Sequence, residues 1–260
     1  MELFIQSYIF LIGALIGSFL NVCIYRIPRG ESIAFPPSHC TNCNTKIKHY
    51  DLIPILSYIF LRGKCRNCKS KVSAIYPLIE LFTAIIFLLL YKKYGLTIDF
   101  FSFAIFTCFL IVIGMIDYFT QDVYTITTYS GIGIGVIFVL IKYFRGENVL
   151  SYIYGAAFGG VFLLITIILG KFIMKREAMG FGDFDICILT GVYLGFYPNI
   201  FMLILASSFG SLIIISLIAL KLRNRNDPFA FGPFLSVASI VVMLYGNSLF
   251  EIYMKIFFNN

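Results

Sequence analysis

Long apolar stretches make up most of the chain, and a single sizeable polar region interrupts them after the first stretch. A helix that crosses a bilayer needs about 20 predominantly apolar residues. Stretches that reach or approach this length lie at Phe4–Tyr25, Tyr76–Leu90, Phe101–Ile116, Tyr124–Lys142, Val149–Phe172, Ile186–Tyr197, Phe201–Leu220 and Phe234–Phe250. The pattern predicts an all-α polytopic membrane protein with about eight transmembrane helices, of which the short sixth is the weakest.

Composition agrees with this prediction. Of the 260 residues, 60% are hydrophobic and 13% are charged, and the mean hydropathy of +0.91 lies far above that of a soluble domain. The first stretch lacks a basic segment before it and a small-residue cleavage site after it, which predicts a retained helix and not a removed signal peptide. We expect membrane lipid around the chain and no nucleic-acid partner, because most of the net charge of +7 serves topology.

Basic residues are concentrated in the polar region that follows the first predicted helix. They are Arg26, Arg29, Lys46, Lys48, Arg62, Lys64, Arg66, Lys69 and Lys71. Loops rich in lysine and arginine stay in the cytoplasm. The N-terminus is therefore predicted outside and this first loop inside the cell.

The chain is expected to divide into a first helix (residues 1–26), a cytosolic loop domain (27–75) and a helix bundle (76–260).

The loop domain contains two Cys-x-x-Cys pairs. They are Cys40 with Cys43 and Cys65 with Cys68, with 21 residues between them, a spacing typical of a four-thiolate tetrahedral metal site. A reducing cytosol disfavours disulfides here. Zinc is the predicted metal, although iron would use the same four sulfurs. No internal repeat is apparent.

Two aspartates stand at the ends of apolar stretches. Asp183 follows Gly180, Phe181 and Gly182 directly before the sixth stretch, and Asp117 ends the third. The predicted orientation places both on the cytosolic face, where a carboxylate at a membrane segment is usually functional. Two carboxylates held close together share one proton, which suits acid/base hydrolysis of an amide. The two glycines leave room for a substrate strand and permit positive φ angles.

Other interpretations of these carboxylates stay open. Either aspartate taken alone could be a solvated loop charge. Asp122 and Asp185 are nearby competitors, but Asp117 ends its helix and Asp185 lacks the glycine frame. Glu80 lies about one turn into the predicted second helix, where a carboxylate is functional, paired or facing water at the interface.

Several motifs occur together in one order along the chain. They are Gly17–Pro28, the paired Cys-x-x-Cys, Tyr76–Leu81, Gly180–Asp183 and Phe231–Phe234. In this combination the chain resembles the bacterial type IV prepilin peptidases, which are bifunctional leader peptidases and N-methyltransferases. The resemblance implies a GxGD aspartic protease of the inner membrane, with Asp117 and Asp183 as the catalytic pair and its active site facing the cytosol.

The resemblance also implies substrates and a second cofactor. Such enzymes cut precursors of type IV pilins and of pilin-like proteins in type II secretion or DNA-uptake (competence) machines, and then methylate the new N-terminus from S-adenosylmethionine. Two departures are visible: Val123, Tyr124 and Thr125 stand where Pro-Asp is usual, and Asp185 stands where lysine is usual. Methylation depends on the resemblance alone, since no glycine-rich cofactor loop is present, and no residue is assigned to the cofactor. The alternative is a non-enzymatic membrane scaffold or transporter whose zinc loop docks a cytosolic partner.

Overall fold

The structure, a computed structural model, describes residues 1–174, 180–224 and 229–258, and their regular secondary structure is helical. Nine α-helices are found there: α1 Glu2–Arg26, α2 Leu56–Phe60, α3 Ile75–Tyr94, α4 Ile98–Thr120, α5 Thr125–Phe144, α6 Leu150–Met174, α7 Phe181–Leu194, α8 Phe196–Ala219 and α9 Gly232–Phe258. Short 3-10 turns lie at Ile27–Arg29 and His49–Leu52. The predicted all-α class is confirmed.

Six helices in the described part of the chain are long and apolar enough to cross a membrane, namely α1, α3, α4, α5, α6 and α8. Helix α7 has 14 residues, a length of about 21 Å against the roughly 30 Å of a hydrocarbon core. The shorter apolar part of α9 covers Gly232–Gly246. The polytopic architecture is therefore confirmed, while a total of eight spans stays a prediction.

Two predicted helix ends are wrong. The sixth stretch was expected at Ile186–Tyr197, but α7 starts five residues earlier at Phe181, which puts Asp183 inside the helix. It stops before Gly195, whose φ of +84° turns the chain into α8, since glycine accepts the left-handed region without steric cost. Helix α4 likewise continues to Thr120. Hydropathy locates a helix but does not mark its polar ends.

The chain forms two compact units, residues 1–108 and 109–260, and α4 contributes to both. Their boundary lies elsewhere than the expected divisions after residues 26 and 75, which stay predictions. In the first unit α1 packs along α3 through Gly13 and Gly17. A Cβ atom on Gly17 would lie 2.7 Å from the Cα atom of Glu80, so only a small residue allows this approach.

In the second unit α7 is surrounded by α5, α6, α8 and α9. Its contact with α6 is so close that a Cβ atom on Gly191 would collide with the backbone of Gly155. Asn199 of α8 is fully buried; its amide donates to the carbonyl of Gly155 at 3.0 Å and its amide oxygen accepts from the Thr190 hydroxyl at 2.8 Å. These polar contacts fix the short helix that carries Asp183.

Candidate active site and metal centre

Asp117 lies in the last turn of α4 and is only 4% exposed. Its Oδ2 atom accepts a hydrogen bond of 2.8 Å from the backbone N–H of Gly232, the first residue of α9. A Cβ atom at position 232 would lie 2.5 Å from that same oxygen. Gly232 therefore both holds the carboxylate and leaves the space that it occupies.

Asp183 is the third residue of α7 and is 8% exposed. Its backbone N–H donates to the carbonyl of Gly180 at 3.2 Å, which closes the first turn. A carboxylate in the first turn of a helix is stabilised by the unpaired N–H groups and the positive end of the helix dipole. The start of α7 thus suits an acidic side chain even though it is buried.

The structure brings the two aspartates into one buried region of the second unit. Asp183 interacts electrostatically with Asp117. Three helix ends meet there. Gly232 at the start of α9 contacts Asp117 at the end of α4. Val123, in the loop after α4, fills the space beside Gly182 at the start of α7. Two interacting carboxylates that are shielded from water do not both ionise readily. This arrangement therefore favours one protonated and one ionised aspartate.

The two glycines before Asp183 have different surroundings, and neither has a positive φ angle. Gly180 caps α7 with a φ of −77°, and Gly182 is a helical residue outside the positive-φ set, so the expectation of positive φ is wrong. A Cβ atom on Gly182 would lie 2.6 Å from Cγ2 of Val123, whereas one on Gly180 would meet nothing nearer than 3.9 Å. Packing requires a glycine at position 182 alone.

The competing carboxylates occupy more open positions. Asp122 is exposed in the loop after α4. Asp185 is half-buried and accepts a hydrogen bond from the Thr128 hydroxyl. Burial thus distinguishes Asp117 and Asp183 from Asp122 and Asp185. Gly232 is the site residue that sequence reasoning did not single out, although it lies within the motif Phe231–Phe234.

Glu80 belongs to the first unit. It is 8% exposed, its Oε2 atom accepts a hydrogen bond of 2.7 Å from the backbone N–H of Ile55, and Ser18 of α1 also hydrogen-bonds to it. Ile55 has a φ of +63°, a conformation that a β-branched residue rarely adopts. The interpretation of Glu80 as a water-facing side chain is wrong, because it anchors the polar loop to α1 and α3.

The four cysteines of the polar loop form one cluster. The Sγ atoms of Cys40, Cys43, Cys65 and Cys68 all lie within 4.8 Å of one another, and those of Cys40 and Cys68 are 3.8 Å apart. Tetrahedral zinc with bonds of about 2.3 Å to sulfur implies sulfur atoms about 3.8 Å apart. The donor set and its spacing fit a four-thiolate metal site.

The two cysteine pairs lie in matching knuckles, so the expectation of no internal repeat is wrong. The segments Cys40–Lys46 and Cys65–Lys71 share the pattern Cys-x-Asn-Cys-x-Thr/Ser-Lys. In each knuckle the N–H of the first cysteine donates to the carbonyl of the sixth residue, Thr45 or Ser70. The fifth residue has a positive φ, 52° at Asn44 and 59° at Lys69. Seven residues are too few to stand out in a chain dominated by apolar runs.

Asparagine side chains connect the knuckles to each other. The Asn42 amide donates to Sγ of Cys68 at 3.6 Å, and the Asn67 amide donates to Sγ of Cys43 at 3.8 Å. A hydrogen bond from Ser70 lowers the pKa of Cys68 to about 5. Since metals bind the thiolate, these donors stabilise the form of cysteine that acts as a ligand.

Comparison with known proteins identifies the family of this chain. Residues 11–94 match the model of the bacterial peptidase A24 N-terminal domain, and residues 104–215 match that of the type IV leader peptidase family. The prepilin leader peptidase/N-methyltransferase of Neisseria gonorrhoeae is 34% identical over 92% of this chain and 90% of its own length. The chain belongs to the type IV leader peptidase family.

Two further relatives carry the same description. The Aeromonas hydrophila protein is 31% identical over 96% of this chain and 94% of its own length, and the Pseudomonas putida protein is 28% identical over 94% and 92%. No solved structure matches the chain with significant similarity. Family membership and the six apolar helices together make this protein a multi-pass membrane peptidase. Asp117 and Asp183 lie within the leader peptidase match, and Glu80 and the four cysteines lie within the N-terminal match.

Proposed function

We propose that this protein removes the leader peptide of type IV prepilins and pilin-like precursors by aspartic-protease chemistry and then N-methylates the new N-terminus. The observation that carries the proposal is the buried, interacting pair Asp117 and Asp183 within a leader peptidase domain. Relatives that match over nine-tenths of their length are described as prepilin leader peptidase/N-methyltransferases.

In the proposed reaction the two aspartates share one proton. The ionised carboxylate takes a proton from a water molecule as its oxygen attacks the carbonyl carbon of the scissile amide, and the protonated carboxyl donates a hydrogen bond to the carbonyl oxygen. When the tetrahedral intermediate collapses, the carbon–nitrogen bond breaks and a proton passes to the leaving amine. The N–H of Gly232 keeps Asp117 in place throughout, because it binds Oδ2 directly.

The proposed orientation has the N-terminus outside the bacterial inner membrane and the aspartates facing the cytosol. The concentration of basic residues in the loop between α1 and α3 supports it. We assign zinc to the four cysteines as a structural ion, since all four coordination positions are filled by protein sulfur. S-adenosylmethionine is the proposed methyl donor, because the relatives are described as N-methyltransferases.

The decisive experiment replaces each aspartate by asparagine, which keeps size and removes the acid. We expect Asp117→Asn and Asp183→Asn each to reduce cleavage of a co-expressed prepilin by about 10³-fold or more, within the range of general acid/base contributions. Asp122→Asn is the matched control, because Asp122 is exposed on the loop after α4. Each variant is first checked for normal abundance in the membrane fraction.

Normal cleavage by either membrane-inserted variant would refute the pairing. The scaffold or transporter alternative is not favoured, because the chain aligns with peptidases over 92 to 96% of its length and not through the cysteine loop alone.

A further inference from the structure

The loop between α1 and α3 contains an apolar helix, α2, that neither the metal site nor the proposed reaction uses. Its inner face carries Ser57 and Tyr58, which line a cavity of about 690 Å³ between the loop and the α1–α3 pair. Its outer face, here called the α2 ridge, consists of large apolar side chains spaced at i, i+3 and i+4, namely Leu56, Ile59 and Phe60. These three side chains are 52%, 62% and 80% exposed.

Hydrogen bonds fix α2 at both of its ends. Before the helix, the N–H of Ile55 donates to Oε2 of Glu80 in α3 at 2.7 Å. After it, the N–H of Gly63 donates to the carbonyl of Tyr58 at 2.9 Å, and the Tyr58 hydroxyl donates to the carbonyl of Val72 at 3.3 Å. A helix of five residues is not stable alone in water. Its surroundings therefore keep the α2 ridge pointing outward.

The attachment to Glu80 also sets the depth of the α2 ridge. Helix α3 has 20 residues, a length of about 30 Å that matches the hydrocarbon core of a bilayer. Glu80 lies five positions after Ile75, where α3 begins, or about 7.5 Å inside that end. Large apolar side chains next to Glu80 and its partner Ser18 are exposed, as expected for contact with lipid: Phe19, Leu81 and Phe82.

The charges beside the α2 ridge are basic. Arg62 and Lys64 follow it and are exposed. Asp51, which precedes it, is already paired with Arg66 at a nitrogen–oxygen distance of 2.7 Å. Anionic lipids of the inner leaflet attract lysine and arginine at the membrane surface. An apolar helix face bordered by basic side chains is typical of a helix that lies in the membrane interface.

We propose that the α2 ridge inserts into the lipid leaflet that borders the loop, at the boundary between headgroups and acyl chains. Interfacial helices bury their apolar faces about 5 to 10 Å deep, a range that includes the depth of the attachment to Glu80. The partner of this surface is phospholipid, and its insertion fixes the cysteine loop on the membrane. The inference does not depend on the proposed cleavage or methylation.

The test uses the absence of tryptophan from the sequence, because one introduced indole then reports a single position. Phe60→Trp is made in the full-length protein and reconstituted in vesicles of phosphatidylcholine and phosphatidylglycerol whose acyl chains carry bromine, a quencher, at a defined depth. We expect bromine near the headgroup end to reduce emission at least about twofold, and more than bromine at the bilayer centre, because the insertion is shallow.

Two reference variants calibrate the quenching. Phe19→Trp is the matched lipid reference, since Phe19 is half exposed on the apolar helix α1, and its emission should be quenched. Thr41→Trp is the water reference, because Thr41 is exposed among the polar residues of the first cysteine knuckle. Phe60→Trp emission that is quenched no more than that of Thr41→Trp would overturn the proposal.

A second variant tests the α2 ridge as a unit. Leu56→Trp alone should be quenched like Phe60→Trp, and adding Ile59→Asp together with Phe60→Asp should abolish that quenching, because charged side chains are costly in hydrocarbon. Metal content equal to that of the wild type shows that the loop is still folded in each variant. Quenching that survives both aspartates in a folded loop would contradict insertion of the ridge.

Other partners of the α2 ridge would give different results. Shielding of Phe60→Trp that appears only after a prepilin is added would make the ridge a substrate site. Shielding that increases with the protein-to-lipid ratio would make it a contact between copies of this chain. Either result would overturn lipid insertion. Quenching is measured without substrate, so a failure of the proposed cleavage leaves this test unaffected.

Discussion

The substitution Gly232→Ala tests whether the position of Asp117 limits the reaction. The added Cβ atom would lie 2.5 Å from Oδ2, 3.1 Å from Cγ and 3.2 Å from Cβ of Asp117. Rotation of the carboxylate alone relieves the first contact but not the contact with Cβ. Ordinary contact distances begin near 3.4 Å, so Oδ2 must move by about 0.9 Å and the two Cβ atoms must separate by about 0.2 Å. A misplacement near 1 Å can cost about 100-fold in rate.

Stability should respond much less than activity. Asp117 is a short side chain that can move, and alanine is a better helix former than glycine by about 1 kcal/mol. We therefore expect Gly232→Ala to insert normally and to unfold within a few degrees of the wild type, while kcat for prepilin cleavage falls about 100-fold. The assay is the initial rate of leader release from a purified prepilin, read by intact mass.

Gly133→Ala is the matched control, since a Cβ atom there would meet nothing within 4 Å. It should leave the rate unchanged and raise stability by at most about 1 kcal/mol, because alanine favours the helix. A Gly232→Ala enzyme that cleaves at the wild-type rate would show that the geometry around Asp117 does not control catalysis.

Two further predictions follow from the same contacts. Gly182→Ala should reduce cleavage through overpacking worth about 1 to 3 kcal/mol, because the added Cβ atom meets Cβ and Cγ2 of Val123. Val123→Gly in the same chain should restore part of the activity, and Gly180→Ala alone should stay near wild type. A Gly182→Ala defect that Val123→Gly leaves unchanged would contradict the packing argument. Purified protein should contain about one zinc per chain, measured by mass spectrometry of metals. Cys68→Ser should lose the zinc. Asn67→Ala keeps all four thiolates and should lower zinc affinity by about 10- to 100-fold. A metal-free preparation that stays folded and active would exclude a structural ion.

Sequence patterns were most informative where the chemistry is local. The spacing of two Cys-x-x-Cys pairs predicted a cluster whose Sγ atoms do lie within 4.8 Å of one another, because four soft ligands from two tight turns have few other arrangements. Long apolar runs predicted the membrane-spanning helices, since lipid leaves the backbone no alternative to internal hydrogen bonds. The catalytic assignment of Asp117 and Asp183 remains a prediction, although both are buried in one unit.

Tertiary structure decided what depends on close approach between distant segments. The fixing of Asp117 by Gly232, 115 positions along the chain, and the need for glycine at 182 beside Val123 come from packing of helix ends that no local pattern encodes. The same holds for Glu80. Hydropathy did not decide whether this side chain faces water or has a function, whereas the fold buries it and pairs it with the Ile55 N–H. Composition and spacing thus determined a helical membrane protein with a thiolate cluster. Only the packing of the helices determined which acidic side chains are buried and which residues they contact, because burial depends on neighbours that are remote in sequence.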